Sequence, residues 1–164
     1  MNKIFEIVKE CLDKYERGNK YFHELDEKIK YDEEIFEEML KQTRGRVLIL
    51  SGAFGFNILH YILKSKKHYS YIFLSGSPRK NDKVEIYAMN YYGGKRDNRK
   101  GIFLDDTFFS GRTYFYCKGF IEGKFDLEVD LALVAYDGHS HKLDYVDSFY
   151  RYFDYHTKDG KPLY

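Results

Sequence analysis

Two adjacent carboxylates, followed by a cluster of hydroxyl and glycine residues, form the segment of this chain best suited to chemistry. Asp105 and Asp106 follow the apolar run Ile102-Phe103-Leu104, and Ser110-Gly111-Arg112-Thr113 comes after a short spacer. Hydroxyls and backbone N–H groups at the beginning of a helix bind a phosphate dianion, and the helix dipole favours its charge. Neighbouring carboxylates accept hydrogen bonds from a diol or hold a hydrated divalent cation. The segment therefore predicts a phosphate site beside a diol or metal site.

The surrounding sequence predicts strands that alternate with helices. Apolar runs typical of strands buried on both faces are Arg46–Leu50, Tyr71–Leu74, Ile102–Leu104 and Leu131–Ala135. A helix is expected after the first run, with Ile58, Leu59, Ile62 and Leu63 facing inward, and another from about Gly111 to Phe120. This alternation predicts an α/β fold with a doubly wound, mostly parallel sheet. In such sheets ligands bind beyond the carboxyl ends of the strands, where the acidic pair is expected.

Weaker patterns predict the remaining segments. Val84–Met89 alternates apolar and polar residues, which indicates a half-exposed strand, and Tyr91–Lys100 is expected to be a mobile surface loop. Two amphipathic helices are expected before the first strand, the second capped by Asp32 and stopped near Gly45. The aromatic tail Asp147–Tyr164 is expected to form a short helix and then a loop.

Composition excludes several classes of protein. The 164 residues fit one domain, and 43% hydrophobic with 32% charged residues is the balance of an ordinary globular protein. Lys and Arg number 27 against 26 Asp and Glu, so the chain lacks the basic excess of a general nucleic-acid binder. Cys11 and Cys117 form no disulfide framework, which favours a reducing, cytoplasmic setting. No apolar run approaches the ~20 residues that span a bilayer, so no membrane partner is expected.

The run Ile102–Asp106 followed by Ser110–Thr113 resembles the phosphoribosyl pyrophosphate motif of type I phosphoribosyltransferases. In that family a hydrophobic strand ends in two acidic residues, and a Thr/Ser-Gly-x-Thr loop follows. The resemblance implies a Mg²⁺-dependent transferase that moves ribose 5-phosphate from phosphoribosyl pyrophosphate to a small nitrogenous base and releases pyrophosphate. A non-catalytic relative that senses phosphoribosyl pyrophosphate or a nucleotide would carry the same motif, and it stays as an alternative.

The resemblance also assigns roles to residues. Asp105 and Asp106 would contact the ribose hydroxyls and help to hold Mg²⁺, through water or through those hydroxyls. The 5-phosphate would be wrapped by Thr107, Phe108, Phe109, Ser110, Gly111, Arg112 and Thr113. The pyrophosphate would contact a loop formed by Ser51, Gly52, Ala53 and Phe54. Arg79 and Lys80 would be catalytic residues at the base of a flexible loop that extends to about Tyr92 and closes over the reacting centre.

The chain departs from the family pattern at three places. Ser51–Phe54 lacks the Lys or Arg that many members carry, so its contacts with pyrophosphate would be made by backbone groups alone. Phe109 stands where hypoxanthine-type members often have an Asp, which argues against a hypoxanthine-like mechanism, and the loop after Arg79 is short. The resemblance implies a helical hood over residues 1–44 and a phosphoribosyltransferase-like core over residues 45–164. It leaves the acceptor base and homodimer formation open.

Other candidate sites have plainer explanations. His139 and His141 could offer two imidazoles to a metal, but no third ligand accompanies them, and a polar turn is the favoured interpretation. Cys117 falls on an apolar helix face, which predicts a core residue rather than a nucleophile. Leu143-Asp144-Tyr145 is similar to a stretch near the base site of hypoxanthine-type members, and the aromatic cluster Phe149–Tyr155 could stack on a base or form a packed hood. The sequence contains no P-loop or GxGxxG fingerprint.

Overall fold

The computed structural model describes residue 6 and residues 27–76, 83–91, 100–108, 111–137 and 145–150, with the backbone alone for 136–137 and 147–150. The strands within these ranges are β1 (Val47–Ser51), β2 (Tyr71–Ser75), β3 (Glu85–Met89), β4 (Lys100–Phe108), β5 (Glu128–Asp137) and β6 (Val146–Tyr150). They form one sheet in the order β3-β2-β1-β4-β5-β6. All neighbouring strands are parallel except β3, which is antiparallel to β2.

Helices cover both faces of this sheet. In the described part of the chain they are α1 (Glu33–Lys41), α2 (Gly52–Ser65) and α3 (Arg112–Lys124), and residues 27–30 are helical as well. α1 and α2 pack on the face that carries Leu48, Leu50 and Leu104. α3 packs on the other face, against Ile49 and Phe103. The predicted doubly wound, mostly parallel α/β fold is thus confirmed, and none of the described helices could cross a membrane.

α1 begins where the sequence predicts. The Asp32 side chain accepts hydrogen bonds from the N–H groups of Glu34 at 3.0 Å and Ile35 at 3.3 Å, which satisfies two backbone donors of the first turn. The helix ends at Lys41, a few residues before the predicted stop at Gly45. Its apolar stripe is buried against α2 and the sheet, so this helix belongs to the layered core. The first predicted N-terminal helix lies outside the described residues, and the hood stays a prediction.

The predicted Ser51–Phe54 loop is wrong. Ser51 is the last residue of β1 and Gly52 is already the first of α2. The chain turns directly from strand to helix because Gly52 has a φ of 67°, which is accessible to glycine at little cost. Leu63 was expected to face inward but is 60% exposed. One residue beyond the buried Ile62, it is rotated by about 100° around the helix axis, away from the sheet.

β4 is longer than predicted. The sequence suggests a strand that ends at the acidic pair, but β4 continues to Phe108. The extension is paired with β5, in which Val134 aligns with Asp105 and Tyr136 with Thr107. Because β5 spans ten residues instead of the predicted five, it offers ladder partners up to the end of β4. The acidic pair therefore lies inside a strand and not after it.

Two other segments differ from expectation. Tyr91 was assigned to a mobile loop but is only 4% exposed and packs edge-on against the ring of Phe125. Residues 92–99 lie outside the described part of the chain. The tail was expected to begin with a helix, but β6 extends the sheet there, because the outer edge of β5 offers unpaired backbone groups to a parallel strand. Residues 151–164 lie outside the described part.

Candidate functional site

The sheet has a topological switch point between β1 and β4. These neighbouring strands are parallel, and the helices that follow them leave to opposite faces, α2 to one and α3 to the other. A crevice forms at the carboxyl ends of two such strands, and open α/β sheets bind ligands there. Leu50 aligns with Leu104 in the register, so Ser51 and Asp105 lie side by side at this crevice. The fold thus brings together two segments that the sequence singles out separately.

The N-terminus of α2 forms one side of the crevice. No side chain caps this helix, its first turn contains no acidic residue, and Gly52 and Ala53 are exposed. The positive end of the helix dipole is therefore accessible at the crevice and uncompensated by an acid of its own first turn. Phe54 is 1% exposed and packs edge-on against Phe36, so its side chain belongs to the core and only its backbone can contact a ligand.

Asp106 forms the opposite side, together with a lysine that the sequence did not indicate. The Lys30 ammonium lies 3.8 Å from Asp106 Oδ2, and Asp106 is only 8% exposed. Asp106 Oδ1 accepts a hydrogen bond from the Thr107 N–H at 2.8 Å. Lys30 is held in turn by Asn57 of α2, whose Nδ2 donates to the Lys30 carbonyl at 2.9 Å. No local pattern could have revealed Lys30, because only the tertiary fold brings it to β4.

Asp105 faces the other side of the sheet. Its Oδ1 accepts a hydrogen bond from the Asp106 N–H at 2.9 Å. Its charge acts on the thiol of Cys117, which is completely buried in α3. The pKa of Cys117 is raised to about 12, mainly by burial and less by the Asp105 charge, while a hydrogen bond with Ser51 partly opposes the shift. The predicted core role of Cys117 is confirmed, since a thiol with this pKa is not a nucleophile near neutral pH.

The side chain of Thr107 contributes a buried hydroxyl. Thr107 is 8% exposed, and its Oγ1 has no hydrogen-bond partner in the described part of the chain. Leaving a buried hydroxyl unsatisfied costs roughly 1–3 kcal/mol. Phe108, the next residue, has no polar side-chain atom, and its ring is buried against the rings of Tyr114 and Tyr145. Phe108 is therefore a core residue whose backbone alone is available to a ligand.

Gly111 sets the beginning of α3. It has a φ of 78°, and a Cβ there would lie 2.7 Å from the ring of Phe108. Its carbonyl accepts the first hydrogen bond of the helix from Phe115 N–H at 2.9 Å. Only glycine fits this position without strain, so the N-terminal turn with Arg112 and Thr113 is fixed next to the end of β4. Phe109 and Ser110 lie outside the described residues.

Other predicted site residues either lie outside the described part of the chain or belong to other elements. Arg79 and Lys80 lie outside the described residues, as do His139 and His141. The predicted flexible loop from Arg79 to about Tyr92 is wrong for the part Glu85–Met89, which forms β3 because β2 offers it an edge to pair with. Tyr145 stacks on Tyr114, with ring centroids 5.7 Å apart and planes at 9°, so its side chain packs in the core.

The carboxylates do not form a closed metal site. Among the described residues, no group of three or more Asp, Glu, His or Cys side chains converges as metal ligands. Mg²⁺ is commonly bound by one or two carboxylates together with substrate phosphates and water. Because Asp105 and Asp106 face opposite sides of the sheet, either carboxylate alone fits an ion that arrives with a phosphorylated ligand, and the described residues form no permanently held structural metal site.

The comparisons with known proteins show similarity of fold. No protein-family model and no curated protein matches the sequence. Among solved structures, a UMP synthase of Leishmania donovani matches with a TM-score of 0.50 and 15% identity over 76% of this chain and 26% of that chain. A hypoxanthine-guanine phosphoribosyltransferase of Bacillus anthracis matches with a TM-score of 0.42 and 15% identity, over 76% of this chain and 78% of that chain. A purine phosphoribosyltransferase of Pyrococcus horikoshii matches with a TM-score of 0.43 and 16% identity, over 73% of this chain and 82% of that chain.

These identities are too low to show an activity, and the chain spans only about a quarter of the UMP synthase. They bear on architecture alone. The match to the UMP synthase, at a TM-score of 0.50, is a likeness of fold. The chain has the fold of the type I phosphoribosyltransferases.

Proposed function

We propose that this chain binds phosphoribosyl pyrophosphate in the crevice between β1 and β4 and transfers its ribose 5-phosphate to a nitrogenous base. The observation that carries the proposal is the switch point itself. The accessible N-terminus of α2 and the described end of β4, Asp105–Phe108, lie at the carboxyl ends of neighbouring parallel strands, and α3 begins close to the end of β4. A ligand with a phosphate at one end, a diol in the middle and a diphosphate at the other end matches this arrangement.

The donor would lie across the end of β4. Its 5-phosphate would bind on the α3 side, where Gly111 precedes the first turn of the helix and the Thr107 hydroxyl has no partner among the described residues. Its ribose hydroxyls would donate to the carboxylates of Asp105 and Asp106. Its diphosphate would bind on the α2 side, at the N–H groups of Gly52 and the residues after it. This placement would use both carboxylates, although they face different sides of one strand.

The reaction would break the bond from C1 of the ribose to the diphosphate, which leaves with the electron pair. A nitrogen of the base then attacks C1 and loses its proton. Mg²⁺ bound with the donor would neutralise the leaving diphosphate. The protein would hold C1 and the base in line and stabilise the positive charge that develops on the sugar. Asp105 and Asp106 are the anionic groups that this proposal places nearest to that charge.

The base would lie under a hood built from residues 1–44 and the aromatic tail. α1 itself is part of the core, and it packs on the face of the sheet to which Asp106 points, so the hood is proposed on that side. Arg79 and Lys80 would approach the reacting centre from the segment after β2. The setting proposed for this activity is the cytoplasm.

A turnover assay tests the proposal. The protein is incubated with Mg²⁺, phosphoribosyl pyrophosphate and a panel of purine, pyrimidine and pyridine bases, and pyrophosphate release is followed. We expect release with one base and none with the double variant Asp105→Asn/Asp106→Asn. Tight binding of phosphoribosyl pyrophosphate without turnover on any base would indicate a sensor instead of an enzyme. No binding at all in calorimetry would contradict the proposal.

A further inference from the structure

The N-terminus of α2 lacks a basic side chain of its own where a diphosphate would bind. The first turn Gly52–Phe54 contains only glycine, alanine and phenylalanine, and Ser51 before it is engaged with Cys117. A diphosphate at this position would also approach the Asp106 carboxylate, and like charges at short range repel each other. A cation between the two anions would remove this conflict.

Lys30 lies beside Asp106 and can supply this cation. Its ammonium is 3.8 Å from Asp106 Oδ2, which is beyond ordinary hydrogen-bond distance, so the pair is held by charge attraction and not by a fixed hydrogen bond. The bond from Asn57 to its carbonyl fastens the lysine backbone to α2, five residues and about 7.5 Å along the helix axis from Gly52. Lys30 is thereby tethered to α2 and directed toward the end of β4.

We propose that Lys30 is the cation that binds the diphosphate of the donor. In the free protein it balances the charge of Asp106. When the ribose hydroxyls donate to Asp106, that carboxylate is satisfied by the ligand, and the Lys30 ammonium turns its three donors to the diphosphate oxygens. Lys30 therefore replaces, from a distant part of the sequence, the basic residue that Ser51–Phe54 does not contain. This inference rests on the proposed binding of phosphoribosyl pyrophosphate.

A comparison of two ligands isolates this role. Phosphoribosyl pyrophosphate carries the diphosphate, and ribose 5-phosphate lacks it but presents the same 5-phosphate and diol. Affinities for both are measured by calorimetry in Mg²⁺ for the native protein, for Lys30→Gln and for Lys30→Arg. We expect Lys30→Gln to lower the affinity for phosphoribosyl pyrophosphate by at least about tenfold, because a charge-assisted hydrogen bond is lost. The affinity for ribose 5-phosphate should fall by less than about twofold. Lys30→Arg should retain most of the affinity.

The outcomes are distinguishable. Equal losses for both ligands would mean that Lys30 acts only by positioning Asp106, and no loss for either would mean that it has no role; both results overturn the inference. If the native protein binds neither ligand, the proposed function fails, and the inference fails with it. Lys66→Gln is the matched control, since this lysine follows the other end of α2, and it should leave both affinities unchanged.

A second measurement uses the native protein and does not depend on the folding of any variant. Acetylation of Lys30 is followed by mass spectrometry with and without ligand, and Lys66 acetylation serves as the internal reference. Inorganic pyrophosphate with Mg²⁺ should slow acetylation of Lys30 severalfold and leave Lys66 unaffected. Ribose 5-phosphate should not protect Lys30. Equal acetylation of Lys30 with and without saturating pyrophosphate would overturn the inference.

Discussion

Asp105 and Asp106 are adjacent in β4, yet their carboxylates face opposite sides of the sheet. Asp106 pairs with Lys30 on the face covered by α1 and α2, whereas the charge of Asp105 acts on Cys117 of α3 on the other face. The cause is the continuation of β4 to Phe108, because successive side chains of a strand alternate between its two faces. The two acids therefore have different neighbours, and we expect them to be separable by mutation.

Asp106→Asn should weaken the binding of phosphoribosyl pyrophosphate by at least about tenfold, since an amide accepts a hydrogen bond from a hydroxyl less strongly than a carboxylate does. It should also leave Lys30 without its partner, so that acetylation of Lys30 in the free protein becomes faster. Asp105→Asn should weaken binding to a similar degree and leave the acetylation of Lys30 unchanged. Calorimetry and mass spectrometry give the two readouts. If Asp106→Asn binds phosphoribosyl pyrophosphate with native affinity, the proposed role of this carboxylate in binding is contradicted.

Asp130→Asn is the control for these variants, because Asp130 lies near the opposite end of the sheet. Burial alone would raise the pKa of Asp130, but ion pairs with Arg46 and Lys100 outweigh burial and lower it. A depressed folded-state pKa contributes stability above the unfolded pKa, and this stability is lost as the pH falls through the folded value. We expect Asp130→Asn to lower the free energy of unfolding at pH 7 by about 1 kcal/mol, since the groups are partly exposed, and to leave ligand affinity unchanged.

Thr107→Val should separate stability from function. The valine side chain has nearly the same shape and removes a buried hydroxyl that has no partner in the described part of the chain, so the free protein should unfold at the same or a higher denaturant concentration. The same change should lower the affinity for ribose 5-phosphate severalfold, because the proposed site loses a hydrogen-bond donor. Thr107→Ser keeps the hydroxyl and should retain the affinity. A destabilised Thr107→Val protein would show that the hydroxyl is satisfied in the free state.

The sequence was sufficient for the architecture because the buried strands of a parallel sheet are continuous apolar runs, such as Leu131–Ala135. It also identified Asp32 as a helix cap from its residue type just before an apolar helical pattern, and Cys117 as a core residue from that kind of pattern. The ends of the strands could not be predicted in the same way. The polar residues Asp105 and Asp106 suggest the end of a strand, but β4 continues because Asp105 and Thr107 align with β5, and that pairing depends on tertiary structure.

Only part of the candidate site could be predicted from the sequence, for the same reason. The acidic pair and Gly111 form a local motif, whereas Lys30 and the direct turn at Gly52 do not. Lys30 reaches Asp106 through Asn57 and the packing of the N-terminal segment on α2, which no spacing rule encodes. The unexpected strand β6 has a similar origin, since the open edge of β5 decided its structure.

Gly111→Ala should destabilise the protein by roughly 1–3 kcal/mol. Its φ of 78° is unfavourable for alanine, and the new Cβ would lie 2.7 Å from the Phe108 ring and 3.0 Å from Phe115. The beginning of α3 would shift, and ribose 5-phosphate should bind more weakly. Gly119→Ala in the same helix is the matched control. Its Cβ would meet no atom within 4 Å, so it should stabilise by about 0.5–1 kcal/mol. Denaturant titration of both variants tests the predicted opposite signs.

Tyr114 should make the protein sensitive to alkaline conditions. Burial, with smaller contributions from the charges of Asp130, Glu122 and Tyr145, raises its pKa to about 12. A group whose folded-state pKa is raised contributes stability below its unfolded pKa of about 10, and this stability is lost as the pH rises toward 12. The loss attributable to Tyr114 should be on the order of 2 kcal/mol.

Tyr114→Phe should therefore lose less stability than the native protein between pH 9 and about 11.5, as measured by denaturant titration at each pH. It removes the ionisable hydroxyl together with one hydrogen bond to the Val129 carbonyl, so its stability at pH 7 should already be slightly lower. Tyr87→Phe is the control, since Tyr87 is 69% exposed on β3 and its pH dependence should match the native protein. Part of the alkaline loss should persist in Tyr114→Phe, because the Cys117 thiol, with a pKa of about 12, also resists ionisation in the folded state. Parallel pH profiles for Tyr114→Phe and Tyr87→Phe would contradict the assignment to Tyr114.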